Sequence, residues 1–411
     1  MKTAYELLKE IGFVRVSTTP EELKAAEIIK ASVEALGLEA KIETFPTQWA
    51  EIQEVSFEVT KPYQKKYNAT AYQCGADCDG LVAPLLYFED DTEVMKKQAK
   101  GKFLLVNGTA GHAGYKKFAR TGCVGFITFN GNIDYTEKVD LDQKEFRPPL
   151  HEYGDMPGIN LKVEDAMEMI NLQASEVKVT IKQQRSTADS YNVICEIPGW
   201  EDDEAVICSA HFDTVPHSKG YWDNGTGSVC LYGMAQYYAK NQPRHTVRLV
   251  WCGSEERGCF GSEAYCKMHP DEVEKARLNV NIDMIGSVLG RRFAAVTGPE
   301  SLVHFIDYYG KEIGFPIRSS QRVASSDSTS FADVGIPAVS IGRGGNMQGG
   351  TIHSCLDVLE HVNERLMNED IDFITSFTAK MANAYIIPVP KEIPQNMKAE
   401  IDNFYCRDPK K

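Results

Sequence analysis

The chain has 411 residues, room for two or three domains at roughly 100–200 residues each. Hydrophobic residues at 43% and charged residues at 25% exclude a fully disordered or fibrous chain. Lys and Arg total 44 against 58 Asp and Glu; the net charge of −14 argues against nucleic acid or an anionic membrane as partner, because both would be repelled over most of the surface.

The N-terminal stretch places Glu6, Lys9 and Glu10 where a secretory signal needs an apolar core. Residues 3–11 carry apolar side chains at helical spacing. Thr18, Thr19, Pro20, Glu21 and Glu22 form a helix start, with Thr at the cap and acids behind it. Ala25, Ile28, Ile29, Val33 and Leu36 continue it until Gly37, and residues 40–45 then alternate like a strand.

From 51 to 185 the texture changes. Strands are expected at 55–59, 81–88, 103–106, 124–129 and 177–181, with helices at 115–120 and 162–170. This stretch is expected to be an α/β module of its own, and it lacks any cluster of carboxylates and histidines.

From about 190 the pattern is strand, polar loop, helix, repeated. Strands are expected at 205–208, 246–251, 278–282 and 338–341, with a helix over 226–238. Such alternation predicts an α/β fold, a mostly parallel central sheet with helices on both faces. The segment after Ile387 carries Pro388, Pro390 and Pro394 among charged residues, and is expected to be a loose extension. The domain boundaries follow: 1–50 with 186–390, an insertion at 51–185, and an extension at 391–411.

No run reaches 18 apolar residues, so no transmembrane helix is expected. The 11 Cys are odd in number, and Cys195, Cys208 and Cys252 lie in apolar runs, as buried free thiols do. Cys74 and Cys78 are four apart without a second pair at zinc-site spacing. These features predict a reducing, cytoplasmic setting.

The chemistry-bearing residues gather where strands end. In an open parallel sheet, ligands bind beyond the carboxyl ends of the strands. His211, Glu255, Glu256, Asp283 and His353 all lie there, with Asp213 and Asp223 nearby. Asp213, two residues after His211, shares its side of an extended segment and can accept the other N–H of a metal-bound imidazole; a surface pair is the alternative. Asp223, Asn224 and Gly225 read as a turn and helix cap or as a ligand site. Glu255 and Glu256 read as a solvated acidic turn or as a ligand beside a base. Asp283 ends an apolar strand, where an acid must be neutralised, paired or metal-bound. His353 follows Gly349, Gly350 and Thr351 in a loop. Together, two His and three carboxylates suit a pair of zinc ions with mixed N/O ligands. Cobalt or manganese would also be accepted by such ligands.

The strings Ser209–Asp213, Trp222–Gly227, Gly253–Gly258, Asn281–Gly286 and Thr351–Ser354, separated by 12, 33, 27 and 70 residues between His211, Asp223, Glu256, Asp283 and His353, resemble the co-catalytic di-zinc exopeptidase family. That family includes bacterial leucyl aminopeptidases and glutamate carboxypeptidases. The resemblance covers roughly residues 1–50 and 186–390. The insertion resembles a protease-associated domain through 101–106, 122–127 and 156–159.

The resemblance implies roles. Asp223 would bridge two zinc ions; His211 and Asp283 would complete one site, and Glu256 and His353 the other. Glu255 would be the general base, serving a hydroxide that bridges the two ions, and Asp213 would orient His211. The family also implies a cis peptide after Asp223. In one place the sequence departs from the family: Ser328, within Ser325–Phe331, stands where the family often has His or Tyr to help hold an oxyanion. The implied activity is peptide-bond hydrolysis at the N-terminus of a peptide substrate. A carboxypeptidase or dipeptidase is the alternative, and it would need a basic pocket; Arg257 and Arg343 are the candidates, although solvated loop arginines are the plainer reading. A glutaminyl cyclase, or a binding protein that has lost catalysis, share the fold. The sequence is silent on oligomerisation and on side-chain preference.

Overall fold

The computed structural model describes residues 2–133, 140–345 and 352–407. Gly349, Gly350 and Thr351, read above as part of the His353 loop, lie outside the described residues, as does the tail beyond 407. The chain divides into two compact units, Met1–Pro46 with Asp189–Asn403 and Thr47–Ala188 with Phe404–Lys411.

The first unit opens with two short amphipathic helices. α1 (Ala4–Glu10) starts in a capping box between Thr3 and Glu6, and α2 (Pro20–Glu34) starts with the Thr19 side chain accepting the Glu22 N–H. The sheet comprises β1 (Glu176–Ile197, of which the part from Asp189 belongs to this unit), β2 (Glu201–His211), β3 (His245–Cys252), β4 (Ala276–Ile282), β5 (Arg291–Thr297), β6 (Arg318–Gln321) and β7 (Ala338–Gly344), in the order β6-β5-β7-β4-β2-β3-β1. The central pairs β7–β4, β4–β2 and β2–β3 are parallel. β1 and β5 join their neighbours antiparallel.

Alternation along the strands sends side chains to two cores. Val206, Cys208 and Ala210 of β2, with Val247, Leu249 and Trp251 of β3, face the larger core. There they meet α1, α2, α3 (Thr226–Tyr238) and α6 (Glu364–Ala382). Ile207, Val250 and Cys252 face the other way, onto Tyr265 and Cys266 of α4 (Phe260–Met268) and Phe331 of α5 (Ser328–Asp333). Helices therefore cover both faces, as the strand–loop–helix pattern predicts.

The segment after Ile387 differs from expectation. It forms a helix over Gln395–Phe404, with Met397 and Ile401 buried. Those two residues are four apart, so one helical face is apolar and buried, which the prolines upstream do not prevent. Pro394 accepts the first helical N–H bonds from Met397 and Lys398.

The second unit holds its own mostly parallel sheet. Cys78–Phe88, Phe103–Val106, Gly125–Asn130 and Gly158–Lys162 run parallel in that order, and Thr70–Gln73 follows antiparallel. Phe103 and Leu105 face one core while Leu104 and Val106 face another, so this strand is buried on both sides. Gly158 is required by packing, since a Cβ there would lie 2.4 Å from the Phe126 ring.

Among the described residues no helix is long and apolar enough to cross a membrane, and Cys78, Cys123, Cys195, Cys208, Cys230, Cys252 and Cys266 are free thiols.

Candidate metal centre

The site is assembled at the carboxyl ends of β2, β3, β4 and β7. His211 is the last residue of β2, so the strand runs three residues further than its apolar core suggested. β3 ends at Cys252, and a tight turn follows in which Gly258 and Cys259 donate their N–H groups to the Glu255 carbonyl. β4 ends at Ile282, immediately before Asp283. Asp223 sits in the turn leading into α3, and the Asp223–Asn224 peptide is cis, as the resemblance implies.

The string from Trp222 to Ser228 acts as a clasp between strand ends. The Asn224 amide donates to the Ile282 carbonyl at 2.9 Å, and its oxygen accepts the N–H groups of Gly227 and Met284 at 2.9 and 3.0 Å. Thr226 Oγ1 accepts the Ile285 N–H at 3.0 Å, and Ser228 Oγ donates to the His211 carbonyl at 2.8 Å. The start of α3 is thereby tied to both His211 and the Asp283 segment. Gly227 has to be glycine, because a Cβ would meet Asn224 Oδ1 at 2.4 Å and the Ile282 carbonyl at 2.5 Å.

Each oxygen of Asp223 faces a different histidine. Oδ1 lies 3.2 Å from His211 Nε2, and Oδ2 lies 3.1 Å from His353 Nε2. On the first side, Asp283 Oδ1 is 3.8 Å from the same His211 nitrogen. On the second, Glu256 Oε2 is 3.2 Å from the same His353 nitrogen. The groups His211, Asp223, Asp283 and Asp223, Glu256, His353 each bring one donor atom per residue within 4.8 Å of the others. The structure thus gathers all five sequence-predicted ligand residues into two triads that share one carboxylate.

The surrounding contacts aim these atoms. Ser326 Oγ donates to Asp283 Oδ2 at 2.7 Å, so the other oxygen turns to the centre, where Oδ1 is buried without a hydrogen-bond partner among the described residues. Asp213 accepts the N–H groups of Glu255 and Glu256 at 3.0 and 3.3 Å and lies 3.6 Å from His211 Nδ1. It links the imidazole to the Glu255 turn. Glu255 Oε2 stands 3.9 Å from His211 Nε2, while Oε1 takes the Cys259 thiol at 3.6 Å. Ser254, Met284 and His353 have φ of 54°, 62° and 59°, left-handed backbone that bulky residues adopt at a cost and that clusters at functional sites.

The electrostatics follow from burial and crowding of acids. Burial pushes Glu255 well above the ordinary carboxylate range, and Asp327, Glu256 and Asp283 add to the shift against His211. Burial also raises Glu256. Burial would raise Asp223 too, but its bonds to His211 and His353 prevail and hold it low. Burial opposes charge on His211, yet Glu255, Asp213, Asp223 and Asp283 lift it well above 6.5. Glu256 is the main cause that raises His353 to about 11. So many acids around two imidazoles attract cations strongly. The orphaned Asp283 oxygen and the mixed N/O donors fit divalent zinc-type ions.

Sequence reasoning missed three contributors. Asp357 accepts the N–H groups of Trp222 and Asp223 at 2.9 and 3.0 Å; burial sets its pKa at about 6 against those bonds. Its signal was an acid four residues beyond His353. Arg15 is fully buried and donates to the carbonyls of Phe212, Lys219 and Gly220, on the two loops that carry His211 and Asp223. A lone charge inside the apolar run 11–16 was its signal. Asp327 is buried beside Ser328, and burial lifts it to about 7. Ser328 is itself buried at the start of α5, and its Oγ has no partner among the described residues.

Arg257 and Arg343 are not solvated, contrary to the plainer reading. Both are buried, Arg343 because it pairs with buried Asp370 at 2.9 Å, beside Arg292.

Residues 192–378 match the model of Peptidase family M28. An aminopeptidase of Pseudomonas aeruginosa is 31% identical over 171 residues, 41% of this chain and 31% of that protein. Over curated relatives matched in this way the chain spans between 31% and 48% of their length. Aminopeptidase YwaD of Bacillus subtilis is 23% identical over 426 residues, 98% of this chain and 89% of that one. The solved structure of BSAP, a zinc aminopeptidase from Bacillus subtilis, is similar with a TM-score of 0.76 at 22% identity, covering 96% of this chain and 98% of that one. That likeness establishes the shared fold.

Proposed function

We propose that this protein, whose residues 192–378 match the model of Peptidase family M28, is a zinc-dependent exopeptidase that removes residues from the N-terminus of peptides. The observation that carries this reading is Asp223, which offers one oxygen to the His211 side and the other to the His353 side at nearly equal distance. The names of the relatives support the N-terminal direction.

In this reading His211, Asp223 and Asp283 would hold one ion, and Asp223, Glu256 and His353 would hold a second. Zinc bound there would supply Lewis acidity for the scissile carbonyl and lower the pKa of water toward neutrality. Glu255, next to the His211 side, takes the proton of the attacking water on Oε2 and returns it to the leaving amine nitrogen. Its Oε1 is held by Cys259, so Oε2 is the oxygen left to face the substrate. A raised pKa suits that shuttle, since the carboxyl must both accept and release the proton. Asp213 keeps His211 oriented while holding the Glu255 turn. Ser328, with its orphaned hydroxyl, is the proposed donor to the oxyanion. The second unit is read as a protease-associated domain, supported by its separate core and the strands Phe103–Val106 and Gly125–Asn130.

The test is mass spectrometry of a mixed peptide set incubated with zinc-loaded protein, beside the same peptides with blocked N-termini. Stepwise N-terminal loss, abolished by blocking, is expected. Loss from the C-terminus that ignores blocking would replace the reading with a carboxypeptidase. No cleavage at all by zinc-loaded protein would remove the enzymatic reading.

A further inference from the structure

A second cluster lies at the other end of β2, and the proposed reaction makes no use of it. Glu201 and Asp203 open β2, His245 opens β3, and Glu201 and His245 are partners in register. One donor atom from each of the three lies within 4.8 Å of the others. Eight residues of strand separate Asp203 from His211, ~26 Å at the usual rise, so this cluster is distinct from the centre above.

His245 is 1% exposed. Its Nε2 lies 3.1 Å from the Ala384 carbonyl, which can only accept, so Nε2 carries a hydrogen. In the neutral ring Nδ1 is then a bare lone pair. That atom is buried, has no hydrogen-bond partner among the described residues, and lies 3.5 Å from Asp203 Oδ1. A lone pair so near a carboxylate repels it, and a cation between them turns the repulsion into ligation.

The neighbours are consistent with this. Glu204 lies 3.9 Å from Nε2, the nitrogen committed to the Ala384 carbonyl, and accepts from Arg277 and the Ile387 N–H at 2.9 and 2.8 Å. Arg244 grips Glu201 at 3.0 and 2.8 Å, and each carboxylate oxygen keeps a second lone pair.

We infer that His245 Nδ1, Asp203 and Glu201 form a further divalent-cation site, of the zinc type rather than the calcium type, because calcium takes oxygen ligands and this site leads with a buried imidazole. Its ion would pin the first residues of β2 and β3 together. Through Nε2 it would also hold the chain at Ala384, just past α6. Occupancy therefore stabilises the folded state by mass action.

The test compares the full chain with its Asp203→Asn variant, whose side chain is 75% exposed and so leaves the fold intact. Both are stripped with chelator, dialysed against graded zinc, and measured for bound zinc and for Tm. The wild type should bind one zinc per chain more than the variant, or bind that zinc at least tenfold more tightly, and should gain more Tm from zinc. Equal isotherms and equal zinc-dependent Tm gains would overturn the site. A variant that loses stability equally with and without zinc would overturn it too, in favour of a plain His245–Asp203 ion pair. Peptide cleavage does not enter either readout, so the result stands apart from the exopeptidase reading.

Discussion

The two halves of the main centre are built differently. His211 and Asp283 sit at strand ends; His211 is 2% exposed at its side chain, and the Asn224 clasp and Ser326 hold the half from several sides. His353 is carried on a loop with left-handed φ, and half of its side chain is exposed. One half is thus over-determined by the sheet, while the other is completed by a segment whose conformation the sheet does not impose. A ligand on a packed strand end keeps its geometry without an ion. A ligand on an exposed loop depends more on the ion for it, so the His353 half should release its ion first.

The largest effect should come from Glu255, which stands beside the His211 half without belonging to either triad. Glu255→Gln should cut turnover by about 10²–10⁴-fold with metal content unchanged, since amide replaces a proton acceptor of the same shape. Parallel assays of peptide hydrolysis and metal content decide it, and full activity would remove the base from the mechanism.

On the proposed two-ion reading, Asp223→Asn should weaken both ions, because the shared carboxylate would serve both, whereas His353→Ala should strip only the loop half. Metal analysis after dialysis separates the two. Equal loss in the two variants would erase the contrast between strand-borne and loop-borne halves. Asp213→Asn should weaken metal on the His211 side by about 10–100-fold while leaving the His353 side closer to normal, the usual cost of removing the acceptor that orients a ligand imidazole.

The smallest effect probes the support beneath the strand-borne half. Glu22 accepts from Ser190 Oγ at 2.6 Å, and Ser190 in turn accepts from Ser254, the residue before Glu255. Burial raises Glu22 from 4.5 to about 8, with Asp213 adding to it. Between those values the folded protein keeps a proton that the unfolded chain has lost. Stability should therefore fall as pH rises from about 4.5 to about 8. Urea unfolding at both ends of that window should show the fall in wild type and a smaller one in Glu22→Gln. An equal slope in the two would assign the pH dependence to other groups.

Much of the fold was legible before any coordinates. Thr19 before Pro20, and Gly37 after the apolar run, marked the ends of one helical segment because caps and left-handed glycine are local requirements. The 226–238 helix and the strand cores appeared because burial on a sheet or helix imposes its period on the sequence. The final helix was missed because prolines and charges outweighed a single pair of apolar residues four apart. Arg15 and Asp357 were missed because their partners lie 197 to 205 and 134 to 135 residues away.

The sequence by itself therefore determined which residue types end each strand and in what order they come, since periodicity, capping and turn chemistry act among near neighbours. Only the tertiary structure decided that Asp223 divides its oxygens between two histidines, that Asp283 keeps one oxygen free by giving the other to Ser326, and that the buried His245 Nδ1 lies 3.5 Å from Asp203. Those outcomes depend on where packing brings atoms from distant parts of the chain, and no local rule carries that information.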